Sequence, residues 1–547
     1  MREGTLERRN ELPQHDVVVV GGGMAGMRAA LAAKAAGAEV AMVSKQHPMR
    51  SMSSGVHGGI NAALKKGDSW EGHAQDTILV GAYLNDQDAV EALCKDAPGD
   101  VIALEHMGVV FSRNGEGRID LAALPGSGKA RTAYAGDTTG HIIQQVLFEQ
   151  ILRHQIPVYE EWFVEALVVE EGVCRGVAAR DTKSGKLEAF TSKATILATG
   201  GFGRVYAPST ASLLATGDGV VLAYRAGAAL RDMEMAQFAP TTLKSRGLLI
   251  TDMARALGGK LADKGGNEVV RAGATRDAAS RAAAEAISAG RGENGYVFLD
   301  LRGVDKKVLS GRLPETRMML KDLEGLDPSK DLIPVKPAMH RPIGGVKTDA
   351  HGATSVAGLY AAGECASNGA HGAGRLGGNS ILDSVVFGRR AGESAVGHAK
   401  EERGGAPMVG DVMKGLESSL ASASGDILPG VIARELSSVM NGKVGIKRDA
   451  SGLKEASKAI EVLRERYGRA GAKNAAQYRE VGNMLDLASA IVASSLARGE
   501  SRGSHYRSDF PNRDDRNWLK HTVVNFSSEG PKVGTEAVKI TKWKPKG

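Results

Sequence analysis

Three glycines spaced as Gly21-x-Gly23-x-x-Gly26 follow directly on the apolar run Val17 to Val20 and lead into an alanine-rich stretch from Ala29 to Ala36. Glycine at these positions lets the backbone approach a pyrophosphate, which then sits on the N-terminus of the following helix. Between a strand and a helix, this spacing predicts a dinucleotide-binding turn. The next apolar strand, Glu39 to Val43, ends in Ser44 and Lys45 instead of an acid, and a hydroxyl can still hold a ribose. Two later strands end in the same manner. Ala194 to Thr199 runs into Gly200-Gly201, and Gly358 to Gly363 runs into Glu364. Parallel sheets place their ligand crevice at such strand ends. The three cysteines, Cys94, Cys174 and Cys365, form no C-x-x-C pair, so neither an iron–sulfur nor a zinc pattern is present and no metal site is expected.

These turns need a parallel sheet to position them, and the elements around them predict one. Gly37 stops the first helix, which completes a βαβ unit. The predicted fold class is α/β, with a nucleotide-binding domain in two parts, 1–236 and 346–410. An α+β capping domain over 237–345, Arg-rich with Pro334, Pro337 and Pro342, is inserted between them. A helical domain over 411–500 follows, Ala/Leu/Glu/Lys-rich from Asp411 to Arg498, and then an irregular tail over 501–547. A chain of 547 residues accommodates several domains. Gly is 71 of these without a fixed period, which excludes a collagen-like chain and points to many tight turns.

No apolar run reaches the ~18 residues of a membrane span, and Met1 to Gln14 lacks the apolar core of a secretory signal. The expected location is therefore cytoplasmic. The net charge of +7 is concentrated in the tail, where Ser501 to Gly547 holds ten Lys/Arg against five Asp/Glu. That distribution excludes a uniformly basic, nucleic-acid-binding surface. It is read either as a basic docking surface or as a solvated tail.

Longer segments carry more. They are Ser44-Lys45-Gln-His-Pro-Met-Arg50-Ser51, Gly58-Gly59-Ile-Asn61, Ala198-Thr199-Gly200-Gly201, Thr216-Gly217-Asp218-Gly219, Gly363-Glu364-Cys-Ala-Ser and His371-Gly-Ala-Gly-Arg375-Leu-Gly-Gly-Asn379-Ser380. To these add Ala497-Arg498-Gly-Glu-Ser-Arg502-Gly and Arg513-Asp-Asp-Arg-Asn-Trp518-Leu-Lys-His521. In these segments the chain resembles, along nearly its whole length, the flavoprotein subunits of the succinate dehydrogenase/fumarate reductase family. The resemblance implies an FAD-binding Rossmann-like domain carrying the cap and the helical domain. FAD would be held by Gly21, Gly23, Gly26, Ser44, Lys45, Gly59, Gly201, Asp218, Glu364, Asn379 and Ser380.

The family moves a hydride between flavin and a C4 dicarboxylate. By resemblance, Arg375 and His340 clamp one substrate carboxylate and Thr251 reaches the other end. Arg276 is the general acid/base, supplied through Asp252 and Arg255, with Asp where Glu is common. The implied partners are an iron–sulfur subunit and membrane-anchor subunits, which would hold the chain on the inner face of the membrane. L-Aspartate oxidases and thiol-driven fumarate reductases, which carry non-covalent FAD, are the enzymatic alternatives. A non-catalytic FAD-binding electron-transfer or assembly subunit is the other.

Three positions depart from the family pattern. Met52 stands where a histidine links FAD covalently, so non-covalent FAD is expected, and His57 lies five residues on. Ala239 replaces a histidine that helps hold one carboxylate, a loss of about 1.5–3 kcal/mol if no other donor fills in. Leu257 replaces a carboxylate expected near the clamp.

Overall fold

The computed structural model describes residues 14–244, 247–405 and 407–545. Most of the polar N-terminal segment, Met1 to Pro13, lies outside the described residues.

The fold is built on a seven-stranded sheet. Gln14–Val20 lies in its middle, parallel to Val40–Ser44 on one side and Leu187–Leu197 on the other. Val158–Glu160 and Leu359–Ala361 extend the parallel part. Trp162–Glu170 and Val173–Asp181 continue the sheet antiparallel. The valines of Val17 to Val20 are all buried, as a central strand covered on both faces requires. One face is covered by the helices Met24–Ala35 and Asn379–Glu401. These two cross at backbone contact. A Cβ added at Gly392 would lie 2.3 Å from the Ala29 carbonyl oxygen, so only glycine permits the approach.

The capping element is a four-stranded antiparallel sheet of Ala236–Leu243, Ile333–Pro342, Val297–Asp300 and Lys260–Ala262. The helix Arg276–Ser288 packs on it through Ala279, Ala283 and Ala286. The helices Pro429–Lys443, Ala450–Tyr467 and Ala475–Ala497 pack together through Leu436, Leu453, Ile460, Leu485 and Ile491.

The tail is not irregular. Lys520–Asn525 and Lys532–Ala537 form a hairpin that joins Leu230–Arg231 in a third, five-stranded sheet. Its arginines are also not all solvated. Arg502 and Arg507, like Arg498 just before them, are at most 2% exposed. Arg498 binds Glu234 at 2.6 Å and Glu500 at 2.9 Å, and Arg502 binds Glu500 at 2.7 Å. Paired burial of this kind ties the tail to the body. His521 completes the tie, with Nδ1 at 2.6 Å from Asp232 and Nε2 at 3.2 Å from Asp86.

Burial alone would lower the His521 pKa, but Asp232 and Asp86 outweigh it and raise it to about 9. A group raised on folding stabilises fully below its unfolded pKa, about 6.5, and that stabilisation is lost as pH rises through 9. Each pKa unit is worth about 1.4 kcal/mol, so on the order of 3 kcal/mol is at stake. The melting temperature is therefore expected to fall between pH 6.5 and 9. His521→Gln should melt lower at pH 6.5 and show a flatter profile, read by calorimetry across that range.

Candidate active site

A groove runs from the C-terminal ends of the parallel strands and is lined by Gly21, Gly22, Gly23, Ser44, Lys45, Gly201, Asp218 and Glu364. Gly21 has φ of +117°, a conformation that costs an L side chain dearly. The helix from Met24 begins at Gly23, which has no side chain to cap it; Ser53 Oγ accepts from Met24 N at 3.3 Å, and the rest of the N-terminal turn lies beside the groove, where an anion is favoured. Lys45 spans the far side, bonded to Asp218 at 2.9 Å, Glu480 at 2.5 Å and Thr216 at 3.0 Å. Asn483 donates to the other Asp218 oxygen at 2.8 Å. A glycine-lined helix end with carboxylates beyond it fits a dinucleotide such as FAD. Gly26 does not line the groove. A Cβ there would lie 2.0 Å from the Gly21 carbonyl oxygen, so its task is close packing of helix on strand.

A second cavity of about 470 Å³ adjoins the groove, with Ser51, Met52, Ala211, Ser212 and Arg341 lining both. Thr251, Asp252, Arg276, His340 and Arg375 converge on it. Thr251 caps the helix Asp252–Ala256, its hydroxyl accepting from Met253 N at 3.3 Å. Arg276 opens the helix Arg276–Ser288, at the end where the macrodipole favours anions. Asp252 answers it there, with Arg276 Nε donating to Oδ2 at 3.0 Å and a second guanidinium nitrogen to the same oxygen. Arg255 lies behind, 3.7 Å from Asp252, and is not itself in the cavity wall. The three form a continuous charged file leading from the cavity into the cap.

Burial alone would raise the Asp252 carboxyl, but Arg276 and Arg255 outweigh it and hold it below its ordinary value. Burial, then repulsion from Arg276, pulls the Arg375 guanidinium down to about 9. Arg375 makes no side-chain hydrogen bond or ion pair among the described residues, and its Nε is buried without a partner. Burial and the neighbouring Arg276, Arg341 and Arg375 hold His340 well below its ordinary value. It is therefore a neutral imidazole at pH 7, fixed by Thr210 Oγ1 at 2.9 Å from Nδ1. Such a set can grip anions by a planar fork and deliver a proton beside them.

The remaining expected residues take other places. Gly59 and Ser380 line the second cavity, not the groove. Asn379 is fully buried, and its amide is spent on Asn61, His73 and Thr77 at 2.8, 2.9 and 3.0 Å, so it anchors the long helix and does not face a ligand. Met52 Sδ accepts from Ser212 N at 3.1 Å, at the boundary of the two hollows. His57 lines the cavity and donates from Nδ1 to the Asp137 carbonyl at 2.5 Å. Ala239 is buried in its strand and is not among the lining residues, and Leu257 packs on the apolar core of the cap. Sequence reasoning missed Gln237 and Asp277. Gln237 accepts from Arg276 at 2.9 Å and donates to Asp277 at 3.1 Å, and burial raises the Asp277 carboxyl. It also missed Arg341, whose adjacency to His340 was the available signal.

Residues 16–381 match the family model described as an FAD binding domain, and residues 433–547 match the fumarate reductase flavoprotein C-terminal model. The fumarate reductase flavoprotein subunit of Mycobacterium tuberculosis is 39% identical, covering 97% of this chain and 98% of that protein. The chain belongs to the succinate dehydrogenase/fumarate reductase flavoprotein family. The Rickettsia bellii succinate dehydrogenase flavoprotein subunit is 37% identical over 95% of this chain and 94% of its own. Among solved structures, E. coli quinol fumarate reductase superposes with a TM-score of 0.93 at 34% identity, covering 98% of both chains. Mycobacterium smegmatis Sdh1 gives 0.87 at 32%, covering 96% and 95%. The chain is thus an FAD-dependent oxidoreductase subunit of this family.

In this family member, Gly26→Ala is expected to force the first helix off its strand. Overpacking of this kind costs about 1–3 kcal/mol. Both the melting temperature and the FAD bound per chain should drop, as read by calorimetry and flavin absorbance.

Proposed function

We propose that this chain is the catalytic subunit that moves a hydride between non-covalently bound FAD and a C4 dicarboxylate, fumarate or succinate, in exchange with a separate iron–sulfur subunit. The observation that carries the reading is one cavity, adjoining the FAD groove, in which Arg276 on Asp252 faces a neutral His340 and an Arg375 whose side chain has no partner among the described residues.

Bound FAD supplies two-electron hydride chemistry at its isoalloxazine ring. Of its expected contacts, Gly21, Gly23, Ser44, Lys45, Gly201, Asp218 and Glu364 are the ones on the groove. The chain's own groups do the rest. Arg375, with the N–H of His340, holds one carboxylate and orients the substrate. Thr251 donates to the other end. Arg276 passes a proton to the carbon beside the one that takes the hydride, and the Asp252–Arg255 file replaces it. Dianions suit a wall on which the guanidinium groups outnumber the carboxylates.

A separate electron carrier is supported by the cysteines. Cys94, Cys174 and Cys365 are each buried and widely separated in the sequence, and no cluster of metal-ligating side chains occurs among the described residues. No described helix is long and apolar enough to cross a membrane. Attachment to the inner face of the membrane, in this reading, comes through partner subunits.

Two measurements test it. With Met52 at the position where relatives of this kind carry the linking histidine, FAD should be released into the supernatant on acid precipitation; flavin that stays with the chain through denaturing electrophoresis contradicts the non-covalent reading. Arg276→Lys keeps the charge but loses the fork on Asp252. Its kcat for fumarate reduction should fall by about 10² or more with FAD content unchanged. A variant that keeps most of its turnover removes Arg276 from proton transfer.

A further inference from the structure

The dicarboxylate reading assigns one end of the substrate only a single neutral donor, Thr251, because Ala239 offers nothing. The capping strand Ile333–Pro342 supplies a candidate. Its register against Ala236–Leu243 shifts locally: Gln237 pairs with Arg341, but the next residue, Phe238, pairs with Met339. His340 is thus an extra residue on that strand. In a regular strand, consecutive side chains point to opposite faces. A bulge re-aims one of them, and here both His340 and Arg341 line the substrate cavity.

Arg341 is 6% exposed and also lines the FAD groove. One of its terminal nitrogens donates to Glu364. Its Nε is buried with no partner among the described residues, as is the Nε of Arg375. A guanidinium has five N–H donors in a fixed fork, so the Glu364 contact leaves donors to spare. Buried donors left unsatisfied in a folded protein call for an explanation, and a ligand that satisfies them is one. Two such groups line one cavity, and a dicarboxylate has two ends. Burial, then Arg375 and Arg276, pulls the Arg341 guanidinium down to about 9, so an anion between these side chains relieves their mutual repulsion.

We propose that Arg341 is the second anion-binding side chain of the substrate cavity, holding the carboxylate for which Ala239 supplies no donor. The inference rests on the dicarboxylate reading above and deepens it. It makes Arg341 a specificity determinant that selects two-ended acids over one-ended ones.

The test is equilibrium binding by calorimetry to the FAD-loaded protein, comparing fumarate with crotonate, which keeps the carbon skeleton and one carboxylate. Arg341→Met should weaken fumarate at least tenfold, the scale of a lost charge-assisted hydrogen bond. Crotonate affinity, measured on the FAD-loaded fraction of the variant, should change far less than fumarate affinity. Arg341→Lys should fall in between. Should Arg341→Met not fold, Arg341→Lys decides alone by the same selective weakening. A wild-type protein that binds no C4 dicarboxylate overturns the parent reading and this one with it. A wild type that binds fumarate, beside variants that bind it as tightly, overturns only the role of Arg341. Equal loss of fumarate and crotonate, or loss of FAD with fumarate binding retained, also overturns it.

Discussion

Positive charge held out of water without full compensation is the constraint around which this molecule is arranged. Arg276, Arg341 and Arg375 face one cavity with Asp252 and Glu364 as their carboxylate partners. The effective penalty for burying a single ion is several kcal/mol even after relaxation. Guanidinium groups bear it better than ammonium groups, because they are weakly hydrated and remain charged. The depressed values of Arg341 and Arg375, and the neutral state of His340, are the same strain seen from three side chains. An anionic ligand removes it, so the cavity is pre-organised for the substrate that would neutralise it.

Such a site persists only if its surroundings are rigid. The buried arginines elsewhere show how that is done. Arg131 forks onto Asp68 at 3.0 and 3.1 Å and reaches Asp76 at 2.8 Å. Arg498, Arg502 and Arg507 are likewise answered by Glu234, Glu500 and Asp509. These arginines are held by carboxylates of the scaffold, whereas Arg341 and Arg375 each keep a buried Nε without a partner among the described residues on the cavity wall. The tail network belongs to the first kind. It ties Asp86 and Asp232 of the nucleotide-binding part to His521, so the C-terminal tail shares a buried anchor with that part.

The capping sheet contributes by irregularity. The bulge at His340 turns two adjacent side chains toward the cavity. Gln237, opposite Arg341 in the register, ties Arg276 to Asp277 on the side away from Asp252. Arg276 therefore sits between two carboxylates with different environments, Asp252 held ionised by guanidinium neighbours and Asp277 raised by burial.

Some of this is written in the order of residues. Val17 to Val20, the Gly21-x-Gly23-x-x-Gly26 spacing and the strand ends at Gly201 and Glu364 determine a parallel sheet with a cofactor groove, because each is a local requirement of backbone geometry. The family resemblance likewise implied Thr251, Asp252, Arg276, His340 and Arg375, which the fold brings to one wall. The tail read as irregular because its strands are short and pair with Leu230–Arg231, some 290 residues away in the chain. The split between groove and cavity, the inward turn of Asn379, the partnership of Gln237 with Asp277 and the reach of Arg341 were decided by tertiary structure alone. Each depends on which donors are left unpaired once the chain is packed, and on a one-residue shift in strand register, and neither quantity exists until distant segments meet.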